Sequence, residues 1–294
     1  MSNIVKNYLR VLDVISSLDC ELEYKSGVGR NKKMSDLEVV ALSLTAEFMS
    51  IDSENSLFKS IDVSKIPNLI ERSQFNKRRR KLFLFSEQVR LKLASRFLEF
   101  EDYFIVDSMP LEICKFARHR RIKICKKEFE TAPSKGFCAS QNTWFYGYKL
   151  HGVCSISGIF HSLDITKAEV HDVHFLKNIK QQMSDCVLLG DRGYLSKTIQ
   201  LDLFQTVNIK LETPKRKNQK DYKPQAYIFR KSRKRIETLF SQLCDQFKIR
   251  NNYAKSFEGF KTRILAKITA LTLVQFINKF VFDRPINNIK NQII

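Results

Sequence analysis

The chain has 294 residues, with 51 Lys and Arg against 31 Asp and Glu, a formal net charge of +20. Its 43% apolar content is enough for a sizeable core, which excludes general disorder, and nine Gly with six Pro leave no room for collagen-like or low-complexity tracts. An excess of positive charge this large calls for a polyanionic partner, either nucleic acid or an anionic membrane.

The membrane alternative fails on the sequence. No run approaches the roughly 18 consecutive apolar residues of a spanning helix. The N-terminal stretch MSNIVKNYLRVLDV mixes charges into its apolar positions and lacks the apolar centre of a signal peptide. Seven cysteines form no CxxC pair and are odd in number, the pattern of reduced thiols in a cytoplasmic protein.

Residues 1–98 read as a helical domain. Ser35 followed by Glu38 is a capping box, in which hydroxyl and carboxylate each satisfy an orphan backbone N–H. Leu37, Val40, Ala41, Leu44 and Phe48 then recur at helical spacing. A further helix is predicted from Ser73 through Arg96, with Lys77, Arg78, Arg79, Arg80 and Lys81 near its start. That run is either a solvated helix face or a set of phosphate contacts.

From about residue 101 the pattern changes to short strands. Tyr103–Val106 is a compact apolar run ended by Asp107, and Lys115–Gln141 is long, basic and weakly patterned, as functional loops are. Thr143–Val153 and Ile159–Ile165 alternate and predict a hairpin across Ser155–Gly158. A helix over Ala168–Met183, a strand at Cys186–Leu189, a helix over Leu195–Thr206, a strand at Ile209–Glu212 and an amphipathic helix over Ile228–Lys248 follow. Strands followed by crossover helices predict an α/β domain over residues 99–294.

Three carboxylates stand where a metal site on a sheet needs them. Asp107 and Asp191 each follow a buried-type strand, and open α/β sheets build their sites at such strand ends. Glu237 lies at the edge of the apolar stripe of the last helix. Each has a plainer reading: a strand-end cap for Asp107, a turn residue for Asp191, an ion pair with Arg233 for Glu237. Converging acids repel and need a counter-charge, and hard oxygen donors suit Mg²⁺ or Mn²⁺, two of which can act together on a phosphodiester. Between Ile209 and Arg263 there are 16 Lys and Arg against five Asp and Glu. Candidate phosphate contacts are Lys149, the loop residues Lys215, Arg216 and Lys217, and Arg230, Arg233, Lys234 and Arg235 before Glu237. Lys220 and Lys223 extend the same loop.

The stretches FIVDSMPLEIC, WFYGYKLHGV, LLGDRGYLS and RKSRKRIETLFSQL, with the later FEGFKTRILAK, resemble bacterial DDE-type insertion-sequence transposases, most of all the nine-eighty-two insertion-sequence family. The resemblance implies a helical N-terminal region before an RNase H-like catalytic domain. It also implies Mg²⁺-dependent cleavage of double-stranded DNA and strand transfer by Asp107, Asp191 and Glu237. Related groups place a Tyr seven residues and an Arg four residues before the Glu, and a Lys seven after it. Arg233 matches that pattern, whereas Arg230 and Cys244 depart from it. A homodimer is expected because two DNA ends must be handled together. The helices bearing Arg78–Lys81 are the expected reader of the terminal repeats. A nuclease without strand transfer and a non-enzymatic DNA-binding repressor remain open alternatives.

Overall fold

A computed structural model describes residues 3–18, 32–99, 101–215, 222, 224–290 and 293. The chain divides into two compact units, Met1–Arg96 with Leu243–Ile294, and Phe97–Gln242. The first cut falls close to the boundary expected at 98/99. The last 52 residues cluster with the N-terminal helices.

The first unit contains helices α1 (Asn3–Ser16), α2 (Asp36–Phe48), α3 (Glu54–Ser60), α4 (Arg72–Lys81), most of α5 (Phe83–Leu98) and α9 (Phe257–Phe276). The Ser35 hydroxyl accepts from the Glu38 N–H while the Glu38 carboxylate accepts from the Ser35 N–H, so the capping box starts α2 as expected. The single helix predicted over 73–96 is two helices broken at Leu82. Extended through Val281, the last helix is long and apolar enough to cross a membrane, but 78% of its most apolar stretch is buried inside the protein. It is the central core helix, with α2 and α4 packed against it.

At that packing Glu47 of α2 is buried beside three cations. Lys267 Nζ lies 2.5 Å from its carboxylate, Arg263 Nε 3.5 Å and Arg79 3.8 Å, and Arg79 also pairs with Glu54 at 3.1 Å. Burial lowers the affinity of Lys267 for its proton, and Glu47 opposes that shift. Arg79 follows Phe75 by one helical turn, and both point inward from α4.

The second unit is built on a mixed sheet of β1 (Tyr103–Cys114), β2 (Ser134–Cys138), β3 (Thr143–Ser155), β4 (Phe160–Lys167), β5 (Cys186–Leu189) and β6 (Ile209–Glu212). The path runs β2-β3-β1-β5-β6, with β4 also paired to β3. β3 is antiparallel to both β1 and β4, whereas β5 runs parallel to β1 and β6 parallel to β5. With helices flanking it, this is the mixed α/β sheet that was expected. One face carries Phe104, Val106, Val153 and Leu188, covered by α6 (Phe175–Ile179), Leu203 of α7 (Lys197–Val207) and Tyr194. At the opposite face α8 (Tyr227–Asp245) brings Phe240 to 6.2 Å from the ring of Phe160 and Phe229 to 6.3 Å from Tyr103.

Two elements differ from expectation. The helix over 168–183 shrinks to a 3₁₀ turn at Asp172–His174 followed by the five residues of α6. The loop at 115–141 contains β2, which the basic composition masked. The six cysteines among the described residues are free, and Cys20 lies outside them. Removing one partner of a buried ion cluster strands the others, so Glu47→Ala is expected to cost about 3–5 kcal/mol. A urea midpoint unchanged from wild type would contradict that role for Glu47.

Candidate functional site

β1 does not end at Asp107; it runs on to Cys114. What ends is its neighbour. Ile105 pairs with Leu189, the last residue of β5, so Asp107 and Asp191 each lie two residues beyond one register pair on adjacent parallel strands. Side chains two apart share a face, and neighbouring strands are about 4.8 Å apart. The two carboxylates are therefore brought together where β5 stops and β1 continues, on the face that α8 covers.

Asp191 caps a short 3₁₀ turn, its Oδ1 accepting from the Gly193 N–H at 2.7 Å. A side chain at Gly193 would come within 3.0 Å of Asp191 Oδ1 and 3.6 Å of Asp172 Oδ2, so glycine leaves room for both acids. Asp172 accepts from Ser108 Oγ at 3.0 Å and pairs with Lys149 Nζ at 3.0 Å. His151, wholly buried beside it, is held by Thr166 at 2.8 Å, and burial lowers its pKa to about 4, leaving the imidazole neutral. Tyr194 is buried beneath the three acids; burial and their charge raise its pKa far enough to keep the phenol protonated.

Asp107 is half-buried, with its Oδ1 accepting from the Ser108 N–H at 2.8 Å. Desolvation is the main cause raising its pKa to about 7; the Asp191 and Asp172 carboxylates push the same way, against the Ser108 N–H and Arg233. Arg233 is thus the cation of α8 that acts on Asp107. Glu237, one turn further along, is exposed, and no ion pair joins it to Arg233 among the described residues. Among those residues no group of three His, Cys, Asp or Glu side chains is arranged to hold a metal ion. The structure thus brings Asp107 and Asp191 together and does not gather Glu237 into a three-acid ligand set.

Beside Asp191 opens a cleft of about 440 Å³ lined by Arg192, Lys215, Tyr222, Arg230 and Arg233. The Gln225 amide nitrogen, on the same lining, is buried without a hydrogen-bond partner among the described residues. Arg230 also lies over the Tyr227 ring at 5.6 Å. Lys234 is exposed, and Arg235 bears electrostatically on Cys154 of β3. Arg216, Lys217, Lys220 and Lys223 fall outside the described residues.

The basic run of α4 is divided by its helical geometry. Arg79 is buried in the Glu47 and Glu54 ion pairs, so it is corrected from phosphate contact to core residue. Arg78 is tied to Asp36 and to the Met34 carbonyl. Arg80 is half-buried and bonds the Asn76 carbonyl at 3.4 Å, while Lys81 is exposed. Lys149 is occupied as the counter-charge of Asp172. Arg192, Tyr222 and Gln225 are not among the candidates that the sequence pattern offers. Arg192 had one available signal, its position directly after Asp191.

The model of the transposase DDE domain matches residues 99–273, more than half of the chain. The chain belongs to the DDE transposase domain family. Comparison with curated proteins gives no match. A solved structure described as "Mos1 transposase paired-end complex with left transposon end" is similar at 12% identity, over 90% of this chain and 85% of that one, with a TM-score of 0.24.

The pKa of Asp107 in this transposase has a measurable consequence. The folded state keeps that proton to about pH 7, whereas an unfolded Asp releases it near pH 4. The native state therefore loses stability as pH rises from about 4 through 7. Asp107→Asn removes the penalty. In metal-free buffer the variant is expected to exceed wild type by about 1–3 kcal/mol near pH 8 and to converge with it near pH 4. Thermal melts showing the same difference at both pH values would exclude this ionisation as the cause.

Proposed function

We propose that this transposase acts on an insertion sequence, cleaving double-stranded DNA at the element ends and transferring the freed 3′ ends into target DNA. The observation that carries the reading is the pairing of Asp107 with Asp191 at the β1–β5 step, beside a cleft lined with cations.

The donor set suits a small hard cation. Burial, with the Asp191 carboxylate pushing the same way, keeps a proton on Asp107 to near neutrality, and a divalent charge would favour the ionised pair. Asp107 and Asp191 would hold Mg²⁺ or Mn²⁺, as one ion or two, and Glu237, exposed on α8, would join them only by moving toward that pair. Such ions, when bound, supply Lewis acidity for phosphodiester chemistry.

The chain's own residues do the rest. Arg233, already acting on Asp107, balances the charge of a phosphate brought to the acids. Arg192, Lys215 and Arg230 hold the flanking backbone along the cleft. Lys149 and Ser108 fix Asp172, which keeps its carboxylate turned toward Gly193 and away from the incoming phosphate. In the first step water attacks in line, forming one P–O bond and releasing the 3′ oxygen. In the second, the 3′-OH attacks a target phosphodiester, again making one P–O bond and breaking one. Neither step needs a covalent protein–DNA intermediate. Handling two ends together implies a homodimer on DNA.

Asp107→Asn is expected to abolish cleavage of a labelled element end while leaving its binding within about twofold. Mn²⁺ should raise the melting temperature of wild type and leave that of the variant unchanged. Cleavage by the variant, or an equal thermal shift in both proteins, would overturn the assignment. Release of 3′ ends that never join target DNA would leave a nuclease in place of a transposase.

A further inference from the structure

A second acid-free run of positive charge lies outside the site above. Residues 115–127, KFARHRRIKICKK, hold seven Lys and Arg and no acid. All seven cations are exposed. Charge of this density on a mobile loop would spread apart, yet this segment is held on the sheet. The Phe116 ring stacks on His119 at 5.0 Å, His119 meets Tyr146 of β3 at 5.6 Å, and Lys126 Nζ lies 5.4 Å over the same Tyr146 ring. His119 Nδ1 donates to the Phe116 carbonyl at 2.8 Å, and Lys126 Nζ donates to the His119 carbonyl at 3.2 Å. Cys125 is buried beneath, so the cations are displayed from a fixed base.

The strand that anchors this segment also displays the chain's one tryptophan. Trp144 precedes Tyr146 by two residues on β3 and therefore projects from the same face, about 7 Å along the strand. Its cross-strand partner is Phe137 of β2, with ring centroids 5.3 Å apart and planes inclined at 58°. The two rings do not stack flat on each other. Trp144 is 59% and Phe137 45% exposed. Lys135, opposite Tyr146, adds another exposed cation to that face. The nearest acids in sequence are Glu112 before the segment and Glu128 and Glu130 after it.

An exposed aromatic pair beside fixed cations is complementary to a partner that is both anionic and planar. Double-stranded DNA offers phosphates but keeps its base faces stacked. Unpaired DNA offers both, and stacking of a base on an aromatic side chain tolerates any sequence. We propose that the 115–127 segment and the Phe137–Trp144 pair form a second DNA contact that takes an unpaired strand, its phosphates on the cations and a base on Trp144. The inference rests on the reading that the chain handles DNA, but not on the chemistry at Asp107 and Asp191.

Trp144 makes the test direct, because tryptophan emission from the full-length protein reports this position alone. An oligothymidine strand is expected to quench that emission with saturation, and the same strand in a duplex should bind without the quench. Arg120→Ser with Arg121→Ser should shift the quenching midpoint upward by roughly tenfold, more steeply at low salt. Trp144→Ala should weaken binding of a labelled oligothymidine by a similar factor, and Trp144→Phe should restore most of it. Element-end cleavage by these variants keeps the two readings apart. If cleavage persists while oligothymidine binds every variant as it binds wild type, this contact is wrong and the catalytic reading stands. Equal quenching by duplex and single strand would overturn the unpaired strand as occupant.

Discussion

Asp107 and Asp191 repel each other, and the parallel pairing of β1 with β5 prevents them from moving apart. Ile105 and Leu189 fix the register, and two residues later both strands present a carboxylate on the same face. β5 then stops while β1 continues, which opens a step at the sheet's edge. The surroundings answer that repulsion. Asp107 binds its proton more tightly, Arg233 approaches from α8, and Asp172 is neutralised by Lys149 rather than left to add its full charge. An arrangement that costs stability in the empty protein is what a site for a divalent ion and a phosphate requires, since both ligands repay the cost when they bind.

The first unit handles buried charge in the opposite way. Glu47 is surrounded by Lys267, Arg263 and Arg79, and Glu54 supplements it, so acids and bases there satisfy one another inside the protein. Such a cluster specifies how α2, α4 and α9 pack more than it adds net stability. It also explains why a run of basic residues is a poor guide to a binding surface. Of Arg78, Arg79, Arg80 and Lys81, the two whose helical positions point toward the core are spent on Asp36, Glu47 and Glu54. The segment at 115–127 has no acids within it and, beyond the 3₁₀ turn Phe116–Arg118, no helix to turn half of its cations inward.

Much was legible before any coordinates. The Ser35–Glu38 capping box, the β3–β4 hairpin and the strands Cys186–Leu189 and Ile209–Glu212 all lie where local patterns predict them. Each is written in nearest-neighbour chemistry: a hydroxyl and carboxylate three residues apart, strict alternation, or a short apolar run between turns. The errors also share a cause. The helix over 168–183 had suitable composition, but Asp172 is drawn to Ser108 and Lys149 across the sheet, which leaves only one turn of α6. β2 went unseen because its partner, the start of β3, supplies the pairing that its own five residues do not signal.

The sequence by itself determined which residue types were available and in what order: an acid after each of two apolar strands, an acid on an amphipathic helix, and a large excess of cations to meet a polyanion. Only the tertiary structure decided which of these meet. It joined Asp107 to Asp191 through strand register and added Asp172 through a turn. It left Glu237 exposed and took Arg79 out of the cation set. It also clustered residues 243–294 with the N-terminal helices. Identity and spacing are local properties of a chain, whereas the partner of a buried charge is chosen by packing between segments far apart in sequence, here Glu47 with Lys267 and Asp107 with Asp191.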